Sequence, residues 1–194
     1  MKHSLFVLLL LSAILAMYSG CDQGLAPLPP PPPIDPNAPT GFGGTIYFRN
    51  WPHIDSVDNV VWELRLAIFK QIPVDTSGLF NELLRGNVLI YPQIGQTAFS
   101  KRDPRDSTGR TLRDTIQYAI YFTTDLDSLP KSYNYAAMAW RFSPNLFVDW
   151  KPAGLYATQP YGFTPKTITV RKNIFLRNID IYCDFRNPPP KPWR

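Results

Sequence analysis

Histidine and glutamate are almost missing from this chain. It carries two histidines, His3 and His53, and two glutamates, Glu63 and Glu82. A histidine-based triad or a zinc cluster would therefore have to be built on very little. Cysteine is equally scarce, with only Cys21 and Cys183, so no disulfide framework is available. No glycine-rich phosphate loop, nucleophile elbow or Cys-x-x-Cys pair occurs. Helical periodicity is also rare, because only "SGLFNELLRG" (77–86) reads as a helix, of two turns at most. These gaps remove the common catalytic chemistries, and the expectation is a protein that is not an enzyme and needs no cofactor.

Proline is abundant, at 21 residues, and its distribution is uneven. The chain opens with Lys2 and His3, an apolar run from Leu5 to Met17, and small residues Ser19 and Gly20. That layout is a secretory signal, and its apolar run of about 13 residues is short for a permanent membrane span. Ser19-Gly20-Cys21 resembles the bacterial lipobox, with Tyr18 standing where leucine is usual. The resemblance implies cleavage before Cys21 and lipidation of its thiol. Between Pro27 and Pro39 lie eight prolines, too many to supply donors to a helix or sheet ladder. Such a segment prefers polyproline II and would act as a stalk of about 50 Å. The organisation expected is a signal over 1–20, a lipidated cysteine and stalk over 21–40, a β domain over 41–187, and a proline-rich tail over 188–194.

Period two dominates the remainder. In "VVWELRLAIFK" (60–70), Val60, Trp62, Leu64, Leu66 and Ile68 alternate with Val61, Glu63, Arg65, Ala67 and Phe69. "TLRDTIQYAIYF" (111–122) and "SYNYAAMAWRF" (132–142) alternate in the same way. Shorter candidates are "GTIYFRN", "NVLIYP", "GLYAT", "KTITV" and "RNIDIYCDF". Eight candidates separated by turn residues predict an all-β antiparallel sandwich of seven or eight strands, with one short helix. In the last of them Ile179, Ile181 and Cys183 share a face, so Cys183 is expected to be an inert core residue.

The "GxIxF" first strand, the "YNYAAMAW" strand, and "TITV" followed by an alternating strand resemble carboxypeptidase regulatory-like domains of the transthyretin-like group. "FRNWPHIDSV", "NLFVDWKPAGLY" and "CDFRNPPPKPW" also resemble envelope lipoproteins of the Bacteroidetes–Chlorobi–Ignavibacteria group. The likeness covers most of residues 41–194. It implies a sandwich of about immunoglobulin size and transfers no catalytic residues. A lipocalin-type barrel is the rival architecture, but Trp51 follows the first strand instead of opening it.

Candidate site residues fall into two sets. Trp51, Trp140, Trp150, Tyr156 and Tyr161 lie at or near expected loops, where aromatic faces could stack on sugar rings; packing within the core is the competing use. His53, Asp55 and Asp58 are a weak metal set whose residue types also suit a turn, and Asp125 with Asp127 is a weaker calcium set. "SKRDPRDSTGR" (100–110) reads as an exposed, mobile hairpin loop. The net charge of +5 is concentrated in the final third, where it would suit anionic headgroups or acidic polysaccharide. "NPPPKPWR" is expected to lie against the domain through Trp193.

The reading is a non-catalytic, lipid-anchored lipoprotein of a bacterial cell envelope, with the outer membrane or cell surface favoured over the inner membrane. Its β-sandwich would bind or scaffold other envelope proteins or polysaccharide, and nucleic acid is not an expected partner. The alternative is a carbohydrate- or small-ligand-binding lipoprotein that uses the loop aromatics.

Overall fold

Ten strands account for almost all the regular structure in the computed structural model, which describes residues 35–52, 61–73, 82–103, 105–108, 111–144 and 150–192. In chain order they are β1 (Gly41–Arg49), β2 (Glu63–Phe69), β3 (Val88–Tyr91), β4 (Thr115–Tyr121), β5 (Lys131–Tyr133), β6 (Tyr135–Arg141), β7 (Trp150–Leu155), β8 (Ile168–Val170), β9 (Phe175–Leu176) and β10 (Ile181–Asp184). A helical turn at 82–84 lies in the segment where a helix was expected, and a 3-10 turn spans Leu126–Ser128. No helix among the described residues is long and apolar enough to cross a membrane. The described residues all fall within one compact unit, Ile34–Arg194.

The main sheet runs β3-β2-β6-β7-β10-β1-β4, with β9 added beside β1, while β5 and β8 pair separately. The expectation of a purely antiparallel body is corrected here. β1 is antiparallel to β4 but parallel to both β10 and β9. Alternation records which face a residue takes and carries no information about the direction of the neighbouring strand.

One core runs the length of this sheet. Phe42 and Ile46 of β1, Leu64, Leu66 and Ile68 of β2, Met138 and Trp140 of β6, and Ile181 and Cys183 of β10 are at most 1% exposed and share a cluster with Ile116, Tyr118 and Ile120 of β4. Strands near both ends of the sheet thus bury the same face together, so the sheet is curled. Each such Leu or Ile contributes about 2 kcal/mol by leaving water. The central strands are covered on their other face too. Ala67, Phe69, Tyr135, Ala137 and Leu155 form a second, smaller cluster with Val88. This explains why β2 is buried along six of its seven residues.

Two glycines fix close approaches. Gly44 opens the Gly-x-Ile-x-Phe motif, and a Cβ there would strike the backbone of Ile179. At Gly154 a Cβ would lie 2.7 Å from Cys183 Sγ. The close fit between β7 and β10 therefore depends on a missing side chain.

Sequence boundaries move in three places. The 132–142 run breaks at Asn134 into β5 and β6, which sends Tyr133 into the main core and Tyr135 into the smaller cluster. β7 starts at Trp150, within a stretch expected to be loop, and β9 was not foreseen. At the ends of the 100–110 segment, Asp103 N–H to Thr111 O and Arg113 N–H to Lys101 O pair the flanking backbone as the stem of a hairpin requires, while 104, 109 and 110 lie outside the described residues. The tail rests on the body through buried Pro189 and through Lys191, whose ammonium lies 5.6 Å from the Phe142 ring centre. Trp193 lies outside the described residues.

Candidate recognition surface

β1 alternates Ile46 and Phe48 inward with Tyr47 and Arg49 outward, and β10 alternates Ile181 and Cys183 inward with Tyr182 and Asp184 on the opposite side. The parallel register then sets Tyr47 beside Tyr182 and Arg49 beside Asp184. The two tyrosine rings stack with centres 4.9 Å apart and planes within 7°. Tyr161 meets Tyr182 edge-on at 5.3 Å, and the Arg49 guanidinium carbon lies 3.4 Å from the Tyr161 ring centre.

The arginine is fixed from below. Its Nε donates to Asp184 Oδ2 at 2.9 Å, and Nη2 approaches the same oxygen at 2.8 Å. Asp184 Oδ1 accepts from Asn50 Nδ2 and from the backbone N–H groups of Arg186 and Asn187. Burial pushes the Asp184 carboxyl upward, but the Asn50, Arg49 and backbone donors outweigh it and hold its pKa below the usual value. Arg49 Nη1 donates to no partner among the described residues, and the side chain remains 47% exposed. Tyr182 is pushed above its usual phenol pKa by burial, then by Asp180, Tyr47 and Tyr161, so its hydroxyl stays protonated at neutral pH.

Tyr161 reaches this place from a tight loop. Thr158 N–H to Thr164 O and the Ala157–Pro165 bridge form its stem, and Gly162 N–H to Gln159 O closes the turn. Pro160 presets the position before Tyr161, which sits in the left-handed region at φ 57°. Left-handed backbone is uncommon for a bulky side chain.

The other aromatic candidates have structural places. Trp140 is 1% exposed and packs edge-on against Phe185, with the Lys151 ammonium 3.9 Å from its ring centre. Tyr156 is 7% exposed within the core. Trp51 is half-buried, stacks on Phe185 at 4.3 Å, and donates from Nε1 to Arg113 O at 2.9 Å. Trp150 pairs with Arg141 across β6 and β7. Of the five, Tyr161 alone belongs to the outward cluster. Tyr47, Tyr182 and Arg49 were not singled out from sequence. Their outward positions were readable strand by strand, but nothing in the residues told which strands would be neighbours.

His53, Asp55, Asp58 and Cys21 lie outside the described residues. Among the described residues, no group of three or more His, Cys, Asp or Glu side chains could hold a metal. Asp127 is ion-paired with Lys172 at 3.0 Å, while Asp125 takes a left-handed turn position. Cys183 is fully buried, and burial raises its thiol well above the usual pKa.

A second polar cluster lies on β2 and β6. Glu63 pairs through one oxygen with Arg65 and through the other with Arg141 Nη2 at 2.8 Å. Arg65 also donates to the carbonyls of Pro92, Gln93 and Gln96. Its Nη groups thus hold a neighbouring turn in place while Nε meets Glu63, which is a structural use.

These features define a β-rich protein with a curled mixed sheet and an outward tyrosine–arginine cluster. Compared with protein-family models, curated proteins and solved structures, the chain matches none of them.

Proposed function

We propose that this protein is a non-catalytic lipoprotein of a bacterial cell envelope, anchored through Cys21 and carrying a β domain that binds or scaffolds other envelope components. The observation that carries the reading is the tyrosine–arginine cluster. Arg49 is positioned by Asp184 and Tyr161 without closing any part of the core, an arrangement suited to recognition. The anchor is supported by the signal-like start, by Ser19-Gly20-Cys21, and by the prolines that follow. We take the curled body to be a sandwich-type wrap, supported by the core that β2 and β4 share from opposite parts of one sheet.

Intact-mass measurement of the protein from its own host tests the anchor. A mature chain beginning at Cys21 and bearing acyl groups is expected, and Cys21→Ala is expected to abolish incorporation of a labelled fatty acid. A mature chain that starts elsewhere, or carries no acyl group, overturns the reading.

A further inference from the structure

The outward cluster on β1 and β10 has a composition that points to one kind of ligand. We propose that Tyr47, Tyr161, Tyr182 and Arg49 bind an acidic polysaccharide, with sugar rings against the tyrosines and a uronate carboxylate on the free edge of Arg49. This rests on the reading of the domain as a binding module and adds the ligand class.

The arginine supplies the first argument. Asp184 occupies Nε and Nη2, leaving Nη1 without a partner among the described residues. The guanidinium plane is held by its stacking on Tyr161, so little freedom is lost when a carboxylate docks. Asp184 receives three further donors, which keeps the assembly in place before any ligand arrives.

The rings supply the second. Tyr47 and Tyr182 stack face to face and Tyr161 stands edge-on against Tyr182, and all three residues remain partly exposed on their remaining sides. Aromatic faces present apolar area to sugar C–H groups, while phenol hydroxyls meet sugar hydroxyls. Along the same face, Tyr47 pairs with Thr115 and Thr45 with Gln117, which continues the surface with short hydroxyl and amide groups instead of aliphatic ones. An anionic membrane would need an excess of positive charge, and here Arg49 is already paired with Asp184 while Asp180 accepts from Thr45 N–H on the same strand. A single directed carboxylate needs no such excess.

The test is titration calorimetry of the full chain in detergent with oligogalacturonate and oligomannuronate, with the carboxyl-reduced forms of both, and with inorganic phosphate. At least one uronate is expected to bind, and its carboxyl-reduced form to bind about tenfold more weakly. Tyr161→Asn, which tolerates left-handed backbone, and Tyr47→Thr, which suits a strand, are each expected to weaken uronate binding about tenfold with unchanged melting. Arg49→Lys, which keeps the charge but loses the fork, is expected to weaken the uronate and leave the reduced form unchanged. The proposal is overturned if neither uronate binds, if the reduced form binds equally, if phosphate displaces the uronate, or if well-folded variants bind like the native chain. A chain acylated at Cys21 that ignores uronates keeps the envelope reading and loses this one; a chain that binds them without a lipid does the reverse.

Discussion

Arg49 sits over the ring of Tyr161, its guanidinium carbon 3.4 Å from the ring centre, while its Nε and Nη2 hold Asp184. One residue thus joins a strand to a loop more than 100 positions further along the chain. The stacking positions the fork, and the carboxylate beneath it makes that position depend on protonation.

Asp184→Asn is expected to lower stability by about 2 kcal/mol near neutral pH, because it removes a largely buried charge that satisfies several donors. Since the folded-state pKa of Asp184 is depressed, its contribution is present above the unfolded value near 4 and is lost as pH falls through the folded one. Thermal melts of native and variant protein should differ most above pH 5 and converge as the pH drops below about 4. A difference that stays constant across that range would refute the linkage.

Glu63→Gln should be the more damaging change. Glu63 is the carboxylate between Arg65 and Arg141, whose side chains are 9% and 18% exposed. Neutralising it leaves two cations poorly compensated in a part-buried place, at a cost of about 3 kcal/mol. Urea unfolding reads this directly, and a change below about 0.5 kcal/mol would mean that the backbone carbonyls already suffice for Arg65.

The fit of β7 against β10 predicts that Gly154→Ala destabilises by about 2 kcal/mol, because the added methyl meets Cys183 and the backbone of Tyr182. Combining it with Cys183→Ala should recover part of the loss. Denaturation of the single and double variants checks this, and strictly additive losses would show that the backbone of Tyr182 and Cys183, and not the thiol, is the obstacle.

Cys183 itself should be silent towards an aromatic disulfide reagent at pH 8 in the folded protein, since burial both shields the thiol and raises its pKa. Reaction should follow the unfolding rate when denaturant is added. Immediate labelling of native protein would contradict the packing.

Much of the fold was legible because alternation is a local property. Leu64, Leu66 and Ile68, like Ile116, Tyr118 and Ile120, face the core as their spacing indicates. Strand direction and neighbours were not legible, since the pairing of β1 with β10 joins residues 135 apart on sites such as Arg49 and Asp184. The recognition surface was hidden for the same reason. Tyr161 drew attention as a loop aromatic, but Tyr47 and Tyr182 looked like ordinary strand residues until the register set them side by side. Trp140 shows the converse, because its indole looked available from its place near a strand end and is core.

The place of β10 has a consequence for how the molecule comes together. Without it, β3-β2-β6-β7 and β1-β4 have no hydrogen-bonded ladder linking them. The last of the described strands is therefore the keystone, and the first must wait for it with Ile46–Arg49 unpaired on one flank. Folding should be slow for a chain of this size, and a nonsense codon before Ile181 should yield two orphaned half-sheets in place of a slightly shortened protein.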